Sequence, residues 1–401
     1  MKGLKKMKVI IIGNGVAGMT VAQNLRRYKE DFEIHTYTDE DYGYYSRVWL
    51  PQLISEKKTA DSIIMRDAIW YAEKNIQYHQ NIQVISIDPQ EKIVKLENGK
   101  KETYDKLCVC TGARNFIPPI KNANINGVFT LRTIDDALKI REYIKDKERI
   151  ICIGGGLLGL ETAKNIRDTG KNVTVVEYFP RLLPKQLCNT SATILEDKIN
   201  NLGIRTILGT TAEEILGENT VKGVRLTNGS ELEGGAIVIS AGIRANLDLV
   251  KDAGLKINKC LVVNEYMQTS DPDIYAAGDV IEYNERGWGI IPAALDQANI
   301  AAKCIASKNC EAYESTTPSN KLKILDFDLM STGSAILGDA QGDCKVFISK
   351  DEMKGVFKKF VLRDGKLIGS ILLESKNDES FVKKNINKDV SEEEVKQRLV
   401  I

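Results

Sequence analysis

The sequence predicts an α/β fold in which one strand–turn–helix–strand unit is built twice, followed by a smaller α+β segment. Three observations predict it. A glycine-bearing segment recurs at an offset of 141 residues, short β-branched runs flank both copies, and the last part of the chain reads as strands joined by a turn and closed by a helix.

Residues 10–26 read IIIGNGVAGMTVAQNLR, and residues 151–167 read ICIGGGLLGLETAKNIR. Each copy opens on a β-branched run suited to a buried parallel strand. Each continues through G-x-G-x-x-G into an amphipathic helical stretch, and a second apolar strand follows: FEIHTYT at 32–38 and NVTVVE at 172–177. This is the context that a dinucleotide fingerprint requires. The first glycine, Gly13 or Gly154, permits the tight turn. The second, Gly15 or Gly156, lets the backbone approach a pyrophosphate. The third, Gly18 or Gly159, lets helix and strand pack closely. The N–H groups of Val16 and Ala17, and of Leu157 and Leu158, then face a diphosphate from the helix start. Two copies in context predict two dinucleotides.

The acid after the second strand separates them. Glu177 closes NVTVVE, 23 residues after Gly154. A carboxylate there accepts hydrogen bonds from both hydroxyls of an adenine ribose and repels a 2′-phosphate, which favours NADH over NADPH. Arg181 lies four residues on and is the group that would serve a 2′-phosphate, but no basic residue directly follows Glu177. In the first copy Thr38, Asp39 and Glu40 stand at the matching place, and the choice among them is open.

At 401 residues the chain has room for two or three domains. It is 43% hydrophobic and 28% charged, which is ordinary for a globular protein. Its 56 basic and 55 acidic residues give no global argument for nucleic acid or an anionic membrane. No apolar run approaches the ~20 residues that span a bilayer. The start, MKGLKKMKVIIIG, lacks a proper h-region and cleavage site. It reads as a lysine-rich end leading into the first strand, and the cytoplasm is expected. Eight cysteines without a C-x-x-C show no zinc ribbon, thioredoxin-like dithiol or iron–sulfur set, so no metal is expected. Two histidines, His35 and His79, weaken any mechanism built on a histidine base or a Ser-His-Asp triad.

Three further segments complete a pattern: LCVCTGARNFIPP at 107–119, VISAGIRANLDL at 238–249 and TSDPDIYAAGDV at 269–280. With the two fingerprints they resemble the FAD-dependent pyridine-nucleotide oxidoreductases over nearly the whole chain. The resemblance is greatest to the NADH:rubredoxin oxidoreductase and ferredoxin-reductase branch, which includes the flavoprotein part of nitrite reductases. It implies two Rossmann-like domains, the NAD domain inserted into the FAD domain. FAD-binding parts are expected at 1–112 and 238–316, the NAD domain at 113–237 and an α+β interface domain at 317–401. Thr111 and Gly112 would sit near the FAD diphosphate. Asp279, after Gly278, matches the family aspartate that binds ribityl hydroxyls. The Val84 backbone would meet adenine. A helix beginning at Pro292 and Ala293 would aim its N-terminus at the flavin. Gly242 would let the backbone approach the nicotinamide.

What is missing points to the mechanism. Disulfide reductases of this superfamily carry a cysteine pair after the first fingerprint helix, and this chain has no cysteine before Cys108. Coenzyme A disulfide reductases and NADH oxidases carry one cysteine upstream of a Leu-Pro. The matching stretch is YYSRVWLPQL at 44–53, with Val48 in that cysteine's place. No redox-active cysteine is therefore expected. Arg47 matches the arginine in the Tyr-x-Arg-Pro of redox-protein reductases, where it lies beside the flavin. The chain departs from the pattern at Val48, and again at Gln52, where many relatives have a lysine. Glu161, on the second fingerprint helix, sits in relatives near nicotinamide and flavin, and an Arg47–Glu161 pairing is open. Tyr42, Tyr44, Tyr45 and Trp49 read either as an acceptor-docking surface or as core. The resemblance thus implies hydride transfer from NADH to FAD and onward transfer to a small redox protein, rubredoxin favoured over ferredoxin, with Arg47 and Glu161 beside the reaction. The alternatives are a flavoprotein subunit of a larger, nitrite-reductase-type complex, and an NADH oxidase.

Overall fold

The computed structural model describes residues 6–324, 327–335 and 344–400, so the first residues of the lysine-rich start lie outside the described residues. The chain divides into two compact units. One comprises Met1–Arg47, Thr59–Arg114 and Ile243–Thr316, the other Val48–Lys58, Asn115–Gly242 and Thr317–Ile401.

In the first unit, the run KVIII at Lys8–Ile12 is buried from Val9 onward because it is the central strand of a parallel sheet. The strand order is Ile274–Ala276, Lys106–Val109, Lys8–Ile12, Glu33–Tyr37 and Ile76–His79. A parallel strand covered on both faces has no solvent side, so its sequence does not alternate. The helix Val16–Tyr28 turns Ala17, Val21 and Leu25 inward at four-residue spacing and carries Arg26 and Arg27 in its last turn, where cations complement the helix dipole. Leu25 is fully buried, and its loss to alanine costs ~2–5 kcal/mol. Against this helix lies Ile291–Ile305, whose buried face is mostly alanine, allowing close approach. Tyr28 Oη donates to Asn299 Oδ1 at 3.0 Å across that seam. The antiparallel meander Val84–Asp88, Ile93–Leu96 and Lys101–Thr103 adds Ile87, Val94 and Leu96 to the same core.

The second unit repeats the plan. Its parallel sheet runs Val128–Thr130, Ala236–Ile239, Arg149–Ile153, Asn172–Glu177 and Ile204–Leu208, with the fingerprint helix Leu157–Asp168 between two of its strands. It too carries a three-stranded meander, Ala212–Leu216, Gly223–Leu226 and Glu231–Glu233. The duplication therefore reaches beyond the glycine segments. The turns Asn98-Gly99 and Asn228-Gly229 are built alike: Asn98 Oδ1 accepts from Lys100 N at 3.0 Å, and Asn228 Oδ1 from Ser230 N at 3.1 Å. Both glycines are left-handed, at φ +85° and +83°.

The short helix Leu50–Ile54 belongs to this second unit. It buries Leu50, Leu53 and Ile54 and packs on helices Ile134–Tyr143 and Leu157–Asp168. Ser55 Oγ donates to Asn165 Oδ1 at 2.6 Å, and Lys57 pairs with Asp168 at 2.6 Å, so the chain just past the short helix is tied to the end of the longer one.

The last part of the unit is an antiparallel sheet in the order Ser319–Ile324, Phe327–Gly333, Lys366–Leu373, Val356–Arg363 and Cys344–Asp351. The expected turn at Arg363-Asp364-Gly365-Lys366 joins two of these strands, with Asp364 at φ +50° and Gly365 at φ +74°, as a two-residue Asp-Gly hairpin requires. Helices Lys376–Asn385 and Glu392–Arg398 follow, the latter opened by a Ser391–Glu394 capping box. Lys358 crosses from the sheet to the chain end. Its buried Nζ donates to the carbonyls of Arg398 at 2.8 Å and Val400 at 2.7 Å and pairs with Asp378 at 3.0 Å.

Candidate dinucleotide-binding sites

Both glycine segments fold into the same cradle, each within its own unit. Gly13 and Gly154 are left-handed, at φ +102° and +115°. Their N–H groups donate to the end of the neighbouring strand, to Tyr37 O at 2.8 Å and Val176 O at 2.7 Å. A Cβ at Gly13 would overlap the Cys110 carbonyl, and one at Gly154 the Ser240 carbonyl. A Cβ at Gly18 would overlap Gly13 O, and one at Gly159 Gly154 O. The middle glycines differ: a Cβ at Gly15 or Gly156 would meet nothing within 4 Å. They cap helices whose starts have no side-chain cap and no acidic residue in the first turn. Open space, uncapped N–H groups and the positive end of a helix dipole together fit a diphosphate at each cradle.

In the first unit, further predicted residues gather at the same end of the sheet. Gly278 is left-handed, donates its N–H to Gln297 Oε1 at 3.0 Å, and would place a Cβ 3.0 Å from the Ala17 Cβ. Half-buried Asp279 therefore follows a loop that closes over the first turn of the fingerprint helix. Thr111 and Gly112 directly follow Cys110, whose carbonyl backs Gly13, and the Asn246 amide donates to Thr111 O at 2.8 Å. Val84 is buried in the meander. Pro292 and Ala293 open the helix Ile291–Ile305, again without a side-chain cap. Among the three residues at the ribose position, Thr38 is buried and accepts from Glu40 N, and Asp39 is exposed. Both oxygens of Glu40 are engaged, one by Arg47 Nη2 at 2.9 Å and the other by the Tyr45 hydroxyl. Arg47 is thus held by a carboxylate of its own unit.

The second unit holds Gly154, Gly156, Leu157, Leu158, Gly159, Glu161, Glu177 and Gly242. Glu177 is 6% exposed. One of its oxygens accepts from Gly155 N at 2.5 Å and the other from Phe179 N at 2.9 Å, so the carboxylate ties the glycine loop to the strand end. Arg181 is turned away into backbone carbonyls, those of Leu187 at 3.3 Å and Pro184 at 3.2 Å. Gly242 is left-handed, at φ +109°, and its carbonyl accepts from Phe116 N at 2.9 Å. Glu161 is half-buried on the fingerprint helix, and burial pushes its carboxyl up to about 7.

Several features carry no signal in the sequence. Asn14, between the first two glycines, accepts from the Tyr71 hydroxyl at 2.6 Å and donates to Tyr78 Oη at 3.3 Å, so distant aromatic residues brace the loop. Tyr44 and Tyr45 are buried and belong to the core rather than to a docking surface, while Val48 and Trp49 are exposed. Tyr178 and Phe179, just past Glu177, form an exposed edge-to-face pair. The two histidines bond to each other at 3.0 Å, and burial, reinforced by His35, pushes His79 down to about 4. Cys304 and Cys310, unremarkable by spacing, are joined. Among the described residues, no group of His, Cys, Asp or Glu is placed to hold a metal, and no helix is long and apolar enough to cross a membrane.

Known proteins share this arrangement. Residues 7–298 match the family model of pyridine nucleotide-disulphide oxidoreductases, and residues 318–390 that of the rubredoxin NAD+ reductase C-terminal domain. The NADH-rubredoxin oxidoreductase of Clostridium acetobutylicum is 30% identical over 376 residues, covering 93% of this chain and 94% of that protein. The NAD(P)H nitrite reductase of Bacillus subtilis is 32% identical over 368 residues, 92% of this chain but 45% of the relative. The chain spans about half the length of several curated relatives of this kind. The ferredoxin reductase for the CYP199A2 system from Rhodopseudomonas palustris superposes with a TM-score of 0.88 at 28% identity, covering 96% of each chain. A family model spanning most of the chain and a relative aligned nearly end to end agree with the twin cradles: the chain belongs to the pyridine nucleotide-disulphide oxidoreductase family.

Proposed function

We propose that this protein is an NADH-dependent FAD oxidoreductase that passes electrons to a small redox protein, rubredoxin before ferredoxin. The observation that carries the reading is the pair of matching cradles, each with an open middle glycine and an uncapped helix start. FAD-binding parts lie within 1–112 and 238–316, the NAD domain at 113–237 and an interface domain at 317–401. Bound FAD supplies hydride acceptance from NADH and the release of single electrons.

The chain's own residues bind and orient. Gly13, Gly15, Val16, Ala17 and Gly18 offer backbone to the FAD diphosphate, with Thr111, Gly112, Gly278 and Asp279 at the same sheet end. Val84 lies toward the adenine, and Pro292 and Ala293 bring a helix dipole to the flavin. Thr38, Asp39 and Glu40 stand toward the FAD ribose. Gly154, Gly156, Leu157, Leu158 and Gly159 serve NADH. Glu177 selects the unphosphorylated ribose, and Arg181, spent on backbone carbonyls, does not serve a 2′-phosphate. Gly242 admits the nicotinamide. Arg47, held by Glu40, places positive charge beside the flavin, and Glu161 acts near the nicotinamide. No cysteine relays electrons beside the flavin, because Val48 stands at that place. The cytoplasm is the proposed location.

A second reading is favoured by the relatives' length. A chain matching under half of a nitrite reductase can work as the flavoprotein part of a larger assembly. One experiment separates the readings. Purified protein is loaded with FAD, reduced anaerobically with NADH or NADPH, and mixed with rubredoxin, ferredoxin or dioxygen. The proposal expects faster bleaching with NADH and fastest reoxidation by rubredoxin. Rapid peroxide formation without another acceptor supports an NADH oxidase. Endogenous protein that elutes as a large complex, with little activity alone, supports the subunit reading. A preparation that takes up no flavin overturns all three.

A further inference from the structure

Cys304 and Cys310 are bonded to each other, and the other six cysteines are free. The pairing follows from how the helix Ile291–Ile305 ends. Cys304 occupies the fourteenth of its fifteen positions. After Ala306, Ser307 turns left-handed at φ +52°. Ser307 N donates to Cys304 O at 3.0 Å and Lys308 N to Lys303 O at 3.0 Å, closing the helix and reversing the chain. The reversal returns Cys310 to a Cα–Cα distance of 5.5 Å from Cys304, a span that a disulfide bridges.

The bond lies where reagents reach it and where the fold does not depend on it. Both cysteines are half-buried, and Ser307, Lys308 and Asn309 between them are exposed. Ile305 and Ala306 are buried by their own packing. Beyond Cys310 the chain is anchored independently. Buried Tyr313 donates its N–H to Glu265 O at 2.8 Å, and Thr316 Oγ1 bonds the Tyr313 hydroxyl at 2.9 Å and Asp296 at 2.7 Å. Opening the bond therefore releases only the short stretch between the helix end and Tyr313.

We propose that Cys304 and Cys310 form a reversible dithiol–disulfide site that responds to the thiol redox state around the protein and is separate from the flavin chemistry. The separation rests on the functional reading, which aims the start of this helix at the flavin. Cys304 lies about 20 Å along the helix from that start. In the reducing direction a dithiol reagent attacks one sulfur, the Cys304–Cys310 bond breaks, both cysteines leave as thiols, and the reagent becomes its own disulfide. In the oxidising direction a low-molecular-weight disulfide takes the two electrons and two protons and is released as two thiols.

Protein purified without reductant is denatured and alkylated, and intact mass gives the number of labelled thiols. The proposal expects six labels before treatment with a dithiol and eight after it, and a return to six when the folded, reduced protein is incubated with a low-molecular-weight disulfide. Cys304→Ser and Cys310→Ser should each give seven labels in every state. Trypsin cleavage after Lys308 should leave fragments that stay joined on a non-reducing gel and separate on a reducing one. In folded protein, proteolysis between Ser307 and Tyr313 should rise by roughly tenfold on reduction. Eight labels without reductant and after oxidant, or a bond that does not re-form after reduction, overturns the proposal. NADH bleaching of the flavin should be unchanged in Cys304→Ser. Failure of bleaching in wild type and variant alike would sink the functional reading and leave the thiol result standing.

Discussion

Replacing Glu177 by glutamine probes the bracing of the glycine loop and the proposed ribose role of the same carboxylate. In the structure it is 6% exposed, and each oxygen accepts one backbone N–H, from Gly155 and from Phe179. Glutamine keeps one oxygen and turns an NH2 toward the other amide, donor against donor. A charge-assisted bond contributes ~1.5–3 kcal/mol, and a buried donor left unpaired costs ~1–3 kcal/mol, so a loss of about 3 kcal/mol is expected. In a unit of this size that lowers Tm by roughly 6–12 °C, readable by calorimetry. The amide also no longer repels a 2′-phosphate and offers the ribose one acceptor in place of two. Stopped-flow bleaching of the flavin with each nucleotide should show the NADH:NADPH rate ratio falling about tenfold or more. An unchanged Tm would refute the bracing of the glycine loop. A lowered Tm with an unchanged ratio would refute the ribose role and keep the structural one.

The middle and third glycines of the second cradle should behave in opposite ways. Gly156 has φ −80° in extended backbone and open space at its Cβ, so Gly156→Val should leave Tm nearly unchanged while weakening NADH binding by about tenfold or more. Gly159→Ala drives a methyl into the Gly154 carbonyl, and denaturant titration should show a loss of ~1–3 kcal/mol. Burial raises the Glu161 carboxyl to about 7, so ionising it costs more in the folded than in the unfolded chain. Its contribution is therefore most favourable below the ordinary carboxylate pKa and falls as pH rises toward 7, by up to ~3 kcal/mol. His79, pushed down to about 4, contributes in the opposite sense over much of this range, so the readout is a difference: in denaturant titrations at acid and neutral pH, Glu161→Gln should gain stability relative to wild type as pH rises. Lys358→Ala leaves the buried Asp378 carboxylate only Ser375 at 2.7 Å and Arg398 at 3.7 Å and should cost ~1.5–3 kcal/mol, and adding Asp378→Asn should recover part of the loss in a double-mutant cycle.

What the sequence made legible was local in its physics. The tight turns at Gly13 and Gly154 and the close packing at Gly18 and Gly159 follow from the glycine spacing alone. The Asp364-Gly365 turn and the helix opening at Ile291-Pro292 are of the same kind. What was hidden depends on partners far along the chain. The helix Leu50–Ile54 is not among the elements expected from the sequence, and nothing local says that Leu50, Leu53 and Ile54 bury against Ile134–Tyr143 and Leu157–Asp168. The aromatic loop was ambiguous because burial, and not residue type, separates Tyr45 from Trp49. Asn14 gave no hint of Tyr71 and Tyr78, some sixty residues on. Cys304 and Cys310 are brought together by a left-handed Ser307, which no cysteine spacing encodes. The engagement of Glu40 by Arg47 and Tyr45 is likewise invisible in the spacing of Thr38, Asp39 and Glu40.

The most direct measurement counts electrons. FAD-loaded protein is titrated anaerobically with NADH while its visible flavin band is followed and its free thiols are assayed at the end point. Full bleaching is expected at one NADH per flavin, with no new thiols formed. Bleaching that needs a second equivalent and exposes a pair of thiols, or a flavin that NADH leaves untouched, would contradict it.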